Sequence, residues 1–143
     1  MKKGFTLVEI LAVFVVLGII SMITVPAIGN VIHMSKEKAY DKQIELIINA
    51  SRSYMTNNSL ELPDNGETST VNVCQLEKGG YLKKENISNP IYENGSSDIK
   101  KKCKYLYGNI NVTNTSGKFT YTYADLNNCT EKNNIEKSTN ICD

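Results

Sequence analysis

The sequence has no tryptophan, one histidine and one arginine, and not a single charged residue between Glu9 and Lys36. Each shortage closes off a class of function. With His33 alone, neither a catalytic triad nor a histidine metal cluster can be assembled, so no enzyme and no cofactor is expected. The carboxylates are too scattered for a recognisable calcium loop. Four cysteines are present, Cys74, Cys103, Cys129 and Cys142, but no two have the close spacing that zinc sites and thioredoxin-like motifs use. The formal charge is +1, and two of the cations are Lys2 and Lys3, so the rest of the chain is nearly neutral and has no signature of a nucleic-acid binder.

What is present is a long apolar run. From Ile10 to Gly29 only Ser21 and Thr24 are polar, and a helix of that length spans ~30 Å, the hydrocarbon thickness of a bilayer. Lys2 and Lys3 precede it, which places the N-terminus inside and the remainder of the chain outside the cytoplasmic membrane. The run is apolar around its whole circumference and so suits lipid and a bundle of like helices equally. Gly18 has low helix propensity and Pro26 lacks a backbone donor, so the helix should be weakest between them, if the two are not ordinary kink residues. Glu9, at the mouth of the run, is costly there unless it finds a partner. It either caps the first helical turn, where the dipole favours an acid, or pairs with a nearby amine. Three readings compete for the segment: a secretory signal cut after Val25-Pro26-Ala27, a plain membrane anchor, and a retained helix cut upstream. The run is longer than the apolar part of an ordinary secretory signal. A plain anchor gives Glu9 no purpose.

The string Lys2-Lys3-Gly4-Phe5-Thr6-Leu7-Val8-Glu9 resembles the class III signal of type IV prepilins and pseudopilins, and the likeness extends to about residue 32. The resemblance implies cleavage between Gly4 and Phe5 by a prepilin peptidase and N-methylation of Phe5. It implies that Glu9 pairs with the Phe5 amine of its own or a neighbouring subunit, and that Gly18 and Pro26 bracket a stretch able to loosen in a filament. The expected divisions are a leader over 1–4, a transmembrane and filament-core helix over 5–32, and a secreted head over 33–143. The implied partners are other pilin subunits in a homo- or hetero-polymer, the peptidase, an assembly platform with its ATPase, and the membrane that holds the precursor. After assembly the subunit would lie in an extracellular or cell-surface filament. Many major pilins carry an aromatic residue just after the matching proline, where this chain has Ala27-Ile28-Gly29. A minor pilin and a secretion or competence pseudopilin therefore stay open.

Beyond the run the helical period continues, with Tyr40, Ile44, Ile47, Ile48, Tyr54 and Met55 on one face, and ends near Asn57-Asn58-Ser59. One helix from about Thr6 to Asn57 is expected. Leu62 to Gly66 reads as loop and Cys74 to Lys78 as a short helical turn. Lys104 to Val112 and Lys118 to Ala124 read as a hairpin around Asn114 to Gly117, with a third strand from Thr70 to Val73 or from the C-terminal tail. The fold class is α+β: a spine helix whose apolar half protrudes and whose amphipathic half packs on a small antiparallel sheet, as the resemblance to pilins implies. The four cysteines suggest two disulfides in an exported head. Of three connectivities, Cys74 with Cys103 and Cys129 with Cys142 is favoured, and free thiols are the alternative. Lys100-Lys101-Lys102 offers a route to DNA or another anionic polymer, although a solvated loop accounts for these lysines more simply.

Overall fold

A computed structural model describes residues 4–124, without the side chains of residues 25–27. The chain divides into two compact units, Met1–Lys36 and Glu37–Asp143. One helix, α1 (Leu7–Asn57), begins in the first and ends in the second, and its backbone stays α-helical through Gly18 and Pro26.

In the first unit every described side chain from Gly4 onwards is exposed, which suits a helix meant for an apolar surrounding and not for a core of its own. Within the apolar run Ile10 to Gly29 the two polar side chains turn inward on the helix. Ser21 Oγ donates to the Leu17 carbonyl at 2.7 Å and Thr24 Oγ1 to the Ile20 carbonyl at 3.0 Å. Neither hydroxyl then has to seek a partner in lipid, where an unsatisfied polar group costs several kcal/mol.

The second unit is an α+β layer. Its core gathers Tyr40, Ile47, Ala50 and Met55 from α1, Val71 from β1 (Thr68–Asn72), and Ile110 and Val112 from β2 (Asn109–Thr115). Tyr121 and Tyr123 of β3 (Lys118–Ala124) pack at its margin. The sheet order is β1-β2-β3, antiparallel throughout, with Val71 opposite Ile110 and Val112 opposite Tyr121. β2 and β3 are joined by a two-residue turn, Ser116 (φ 54°) and Gly117 (φ 85°), whose left-handed pair matches the twist of the flanking strands. Side chains alternate across the sheet. The face turned from the core is therefore almost uncharged, with Thr68, Thr70, Asn109, Asn111, Thr113, Thr120 and Thr122 in rows, and Thr68 and Thr113 hydroxyls 3.0 Å apart.

Between β1 and β2 lie α2 (Val73–Lys78), a 3₁₀ turn (Lys84–Ile87) and α3 (Ile99–Lys102). Asn72 and Gln75 start α2 with a reciprocal capping box. Asn89, buried, holds the rest: its Nδ2 donates to the carbonyls of Lys100 (2.8 Å) and Cys103 (2.7 Å), and its Oδ1 accepts from the Ile91 amide at 3.1 Å. The strand expected from Lys104 is corrected by this segment. Tyr105 bridges to Ser88 and the Leu106 amide donates to Ile87 at 2.8 Å, so these residues pair outside the sheet and β2 starts only at Asn109.

Candidate processing and assembly site

Gly4 precedes the helix, and a side chain built there would meet no atom within 4 Å. Phe5 follows, 82 % exposed as a residue. The chain enters α1 through a capping box that the Thr6-Leu7-Val8-Glu9 spacing permits. Glu9 Oε2 accepts from the Thr6 amide and from Thr6 Oγ1, each at 2.9 Å. In return the Glu9 amide approaches Thr6 Oγ1 at 3.4 Å and the Thr6 carbonyl at 3.1 Å. Of the two roles that the sequence leaves open for Glu9, the capping one is realised within the chain itself. Thr6 is the residue that sequence reasoning passed over. Its signal was in plain view, a threonine three positions before a glutamate at the head of an apolar helix.

Gly18 lies further along the same helix with open space around it. In the second unit, Lys100, Lys101 and Lys102 form α3, started by the Asp98 carboxylate accepting from the Lys100 amide at 3.0 Å. Lys101 is not a free cation: its Nζ lies 3.7 Å from Glu93. Cys74, at the start of α2, and Cys103, just past α3, are both disulfide-bonded, whereas Cys129 and Cys142 lie outside the described residues, and with them the expected pairing of Cys129 with Cys142. Among the described residues there is no group of three or more His, Cys, Asp or Glu that could hold a metal ion. Among the described residues three tyrosine hydroxyls are perturbed upward, Tyr121 by burial. Burial, with the Glu77 carboxylate 3.1 Å away, pushes Tyr107 far above the ordinary tyrosine range. Tyr54 is raised chiefly by its hydrogen bond to Glu61.

Residues 1–25 match the family described as the prokaryotic N-terminal methylation motif. The chain is also 32 % identical over 83 residues to the ComG operon protein 3 homolog of Bacillus licheniformis, covering 58 % of this chain and 77 % of that one. It is 31 % identical over 86 residues to the competence protein ComGC of Bacillus subtilis, covering 60 % and 80 %. No solved structure matches the chain. A methylation motif leading into an apolar helix long enough to cross a membrane, likeness over most of both relatives, and a helix followed by a three-stranded antiparallel sheet have one reading: the chain belongs to the ComGC family of type IV pilin-like subunits, with a membrane-anchored precursor.

Proposed function

We propose that the chain is a competence pseudopilin, a structural subunit that a prepilin peptidase cuts between Gly4 and Phe5 and that polymerises through its apolar helix. The names of the two relatives support the competence assignment, and the residues around Glu9 support the assembly step. Cutting before Phe5 leaves the Phe5–Thr6 peptide intact, so the box that holds the Glu9 carboxylate survives processing. It also frees the Phe5 amine, which stays cationic when a separate methyl transfer converts it to the N-methyl form, one helical turn from that carboxylate. In the membrane the subunit keeps Glu9 satisfied by Thr6. In the filament the carboxylate takes the Phe5 amine of a neighbour as a second partner, while Gly18 and Pro26 let the intervening turns adjust. An assembly platform and its ATPase would lift subunits from the membrane into a homo- or hetero-polymer at the cell surface. The pairing of Lys101 with Glu93 argues against the lysine helix as a DNA site.

N-terminal mass spectrometry of the mature protein tests the processing step. An N-methylated Phe5 is the expected terminus. A terminus at Met1, or one following Ala27, would overturn the assignment.

A further inference from the structure

The chain contains two Asn-Gly dipeptides, Asn65-Gly66 and Asn94-Gly95, and the fold treats them differently. Each occupies the centre of a four-residue turn with glycine at positive φ, +87° for Gly66 and +79° for Gly95. The turns close alike, the Glu67 amide donating to Asp64 at 2.9 Å and the Ser96 amide to Glu93 at 3.2 Å. Beyond that they diverge. The Gly66 amide donates to the Asn114 carbonyl at 2.9 Å, and Asn65 Oδ1 accepts from the Ser116 amide at 2.7 Å, which ties the dipeptide to the β2–β3 hairpin on both sides. Gly95 has no hydrogen bond to its amide among the described residues. The Asn94 carboxamide, exposed, has one hydrogen-bond partner among the described residues, its near neighbour the Tyr92 hydroxyl, which donates to Oδ1 at 3.3 Å.

We propose that Asn94 is a site of spontaneous deamidation in the folded head, and that Asn65 is its protected twin. The Gly95 amide nitrogen, giving its proton to solvent, attacks Asn94 Cγ. The new N–Cγ bond closes a succinimide as the Cγ–Nδ2 bond breaks and ammonia leaves. Water then opens either carbonyl of the ring and leaves an aspartyl or isoaspartyl residue at position 94. No oxidant or reductant is involved. The Tyr92 hydroxyl lies where negative charge gathers on Oδ1 during the attack and favours it. At Asn65 the attacking nitrogen must first give up its bond to Asn114, and the hairpin must release the side chain.

The change would be felt by the lysine helix. Glu93 is bound to α3 through its amide, 2.9 Å from the Lys101 carbonyl, and through the Lys101 side chain. A second carboxylate next to Glu93 competes for that lysine, and an isoaspartyl link adds a methylene to the turn. An exported head would thus carry a record of its age at the edge of its only run of three lysines.

The test follows both asparagines by peptide mass mapping while the full chain, in detergent, ages in mildly alkaline buffer. Position 94 should convert about ten-fold or more faster than position 65, the factor for one additional hydrogen bond to be broken on the way to the barrier. With disulfides reduced and the chain unfolded in urea, the two rates should converge, since both dipeptides follow an acidic residue. Equal rates in the folded chain, no conversion at position 94, or a difference that persists in urea would overturn the proposal.

Discussion

At the mouth of an apolar helix the cost of Glu9 depends on what its two oxygens touch. Thr6 supplies an amide and a hydroxyl at 2.9 Å, so the acid arrives in the helix already hydrogen-bonded. Two variants separate this cap from the proposed pairing with a neighbour's amine. Thr6→Ala removes the hydroxyl but leaves the backbone donor and the carboxylate, and should lower helix-start stability by about 1 kcal/mol while filaments still form at reduced yield. Glu9→Ala should leave the head folded and abolish filaments, as counted by electron microscopy of sheared material. Equal losses from the two would assign the whole effect to capping. Both roles of Glu9 were legible in the sequence; which donor faces it was not, because that depends on the backbone entering α1 at Thr6.

Tyr107 makes a second prediction at this scale. Burial first, and the adjacent Glu77 carboxylate second, make the folded state hold the phenol proton to higher pH than the unfolded chain does. Above the ordinary tyrosine value of ~10 the unfolded chain therefore binds fewer protons than the folded one, and stability falls as pH rises from there towards the folded value. Below that range the contribution is fully present. Tyr107→Phe should flatten this alkaline loss while lowering stability near neutrality by about 1 kcal/mol for the lost hydrogen bond. Tyr121 is also raised by burial, so a shallower slope remains. Denaturant titrations across an alkaline pH series give both slopes.

Among the elements, β3 was the most legible. Phe119, Tyr121 and Tyr123 alternate with Thr120 and Thr122, and the strand lies where that pattern puts it, Tyr121 and Tyr123 against the core. The apolar stripe of α1 was also readable, but not the small residues Ala50 and Ser51, buried where the helix approaches its partners and hidden from a search for large apolar side chains. The start of β2 was misplaced because alternation cannot tell a sheet strand from the bridge that Tyr105 makes with Ser88. Gly108 marks the true boundary. A Cβ there would collide with the Ala124 carbonyl and meet the end of the Tyr123 ring at 2.6 Å. The ring can swing aside, but the carbonyl belongs to the backbone of β3. Gly108→Ala should therefore cost about 2 kcal/mol or more, as overpacking against a fixed neighbour does. It should also raise amide exchange at the β2–β3 end near Asn109 and Ala124 while leaving the Ser116-Gly117 turn protected.

For the whole molecule, the apolar run announced a membrane helix and the prepilin-like string announced a family, because both are written in contiguous residues. The head was legible only in class, since its order rests on long-range groups such as Asn89 and the cysteines, which sequence spacing does not pair. This contrast predicts how the protein responds to reduction. Every cysteine lies in the second unit, Glu37–Asp143, and Cys74, within α2, and Cys103, just past α3, are both disulfide-bonded and bracket the 3₁₀ turn and α3. Breaking those bonds releases entropy to the unfolded head alone, about 3 kcal/mol for a loop of fifteen residues and more for a longer one. The first unit has no cysteine, and its helix is held by backbone hydrogen bonds in an apolar surrounding. In detergent, reductant should therefore lower the urea midpoint of the near-ultraviolet tyrosine signal, which belongs wholly to the head, while most of the helical far-ultraviolet signal persists beyond it. All eight tyrosines lie at or beyond position 40, so the probe is clean. A single transition lost by both signals together would mean that the membrane helix and the head unfold as one cooperative body.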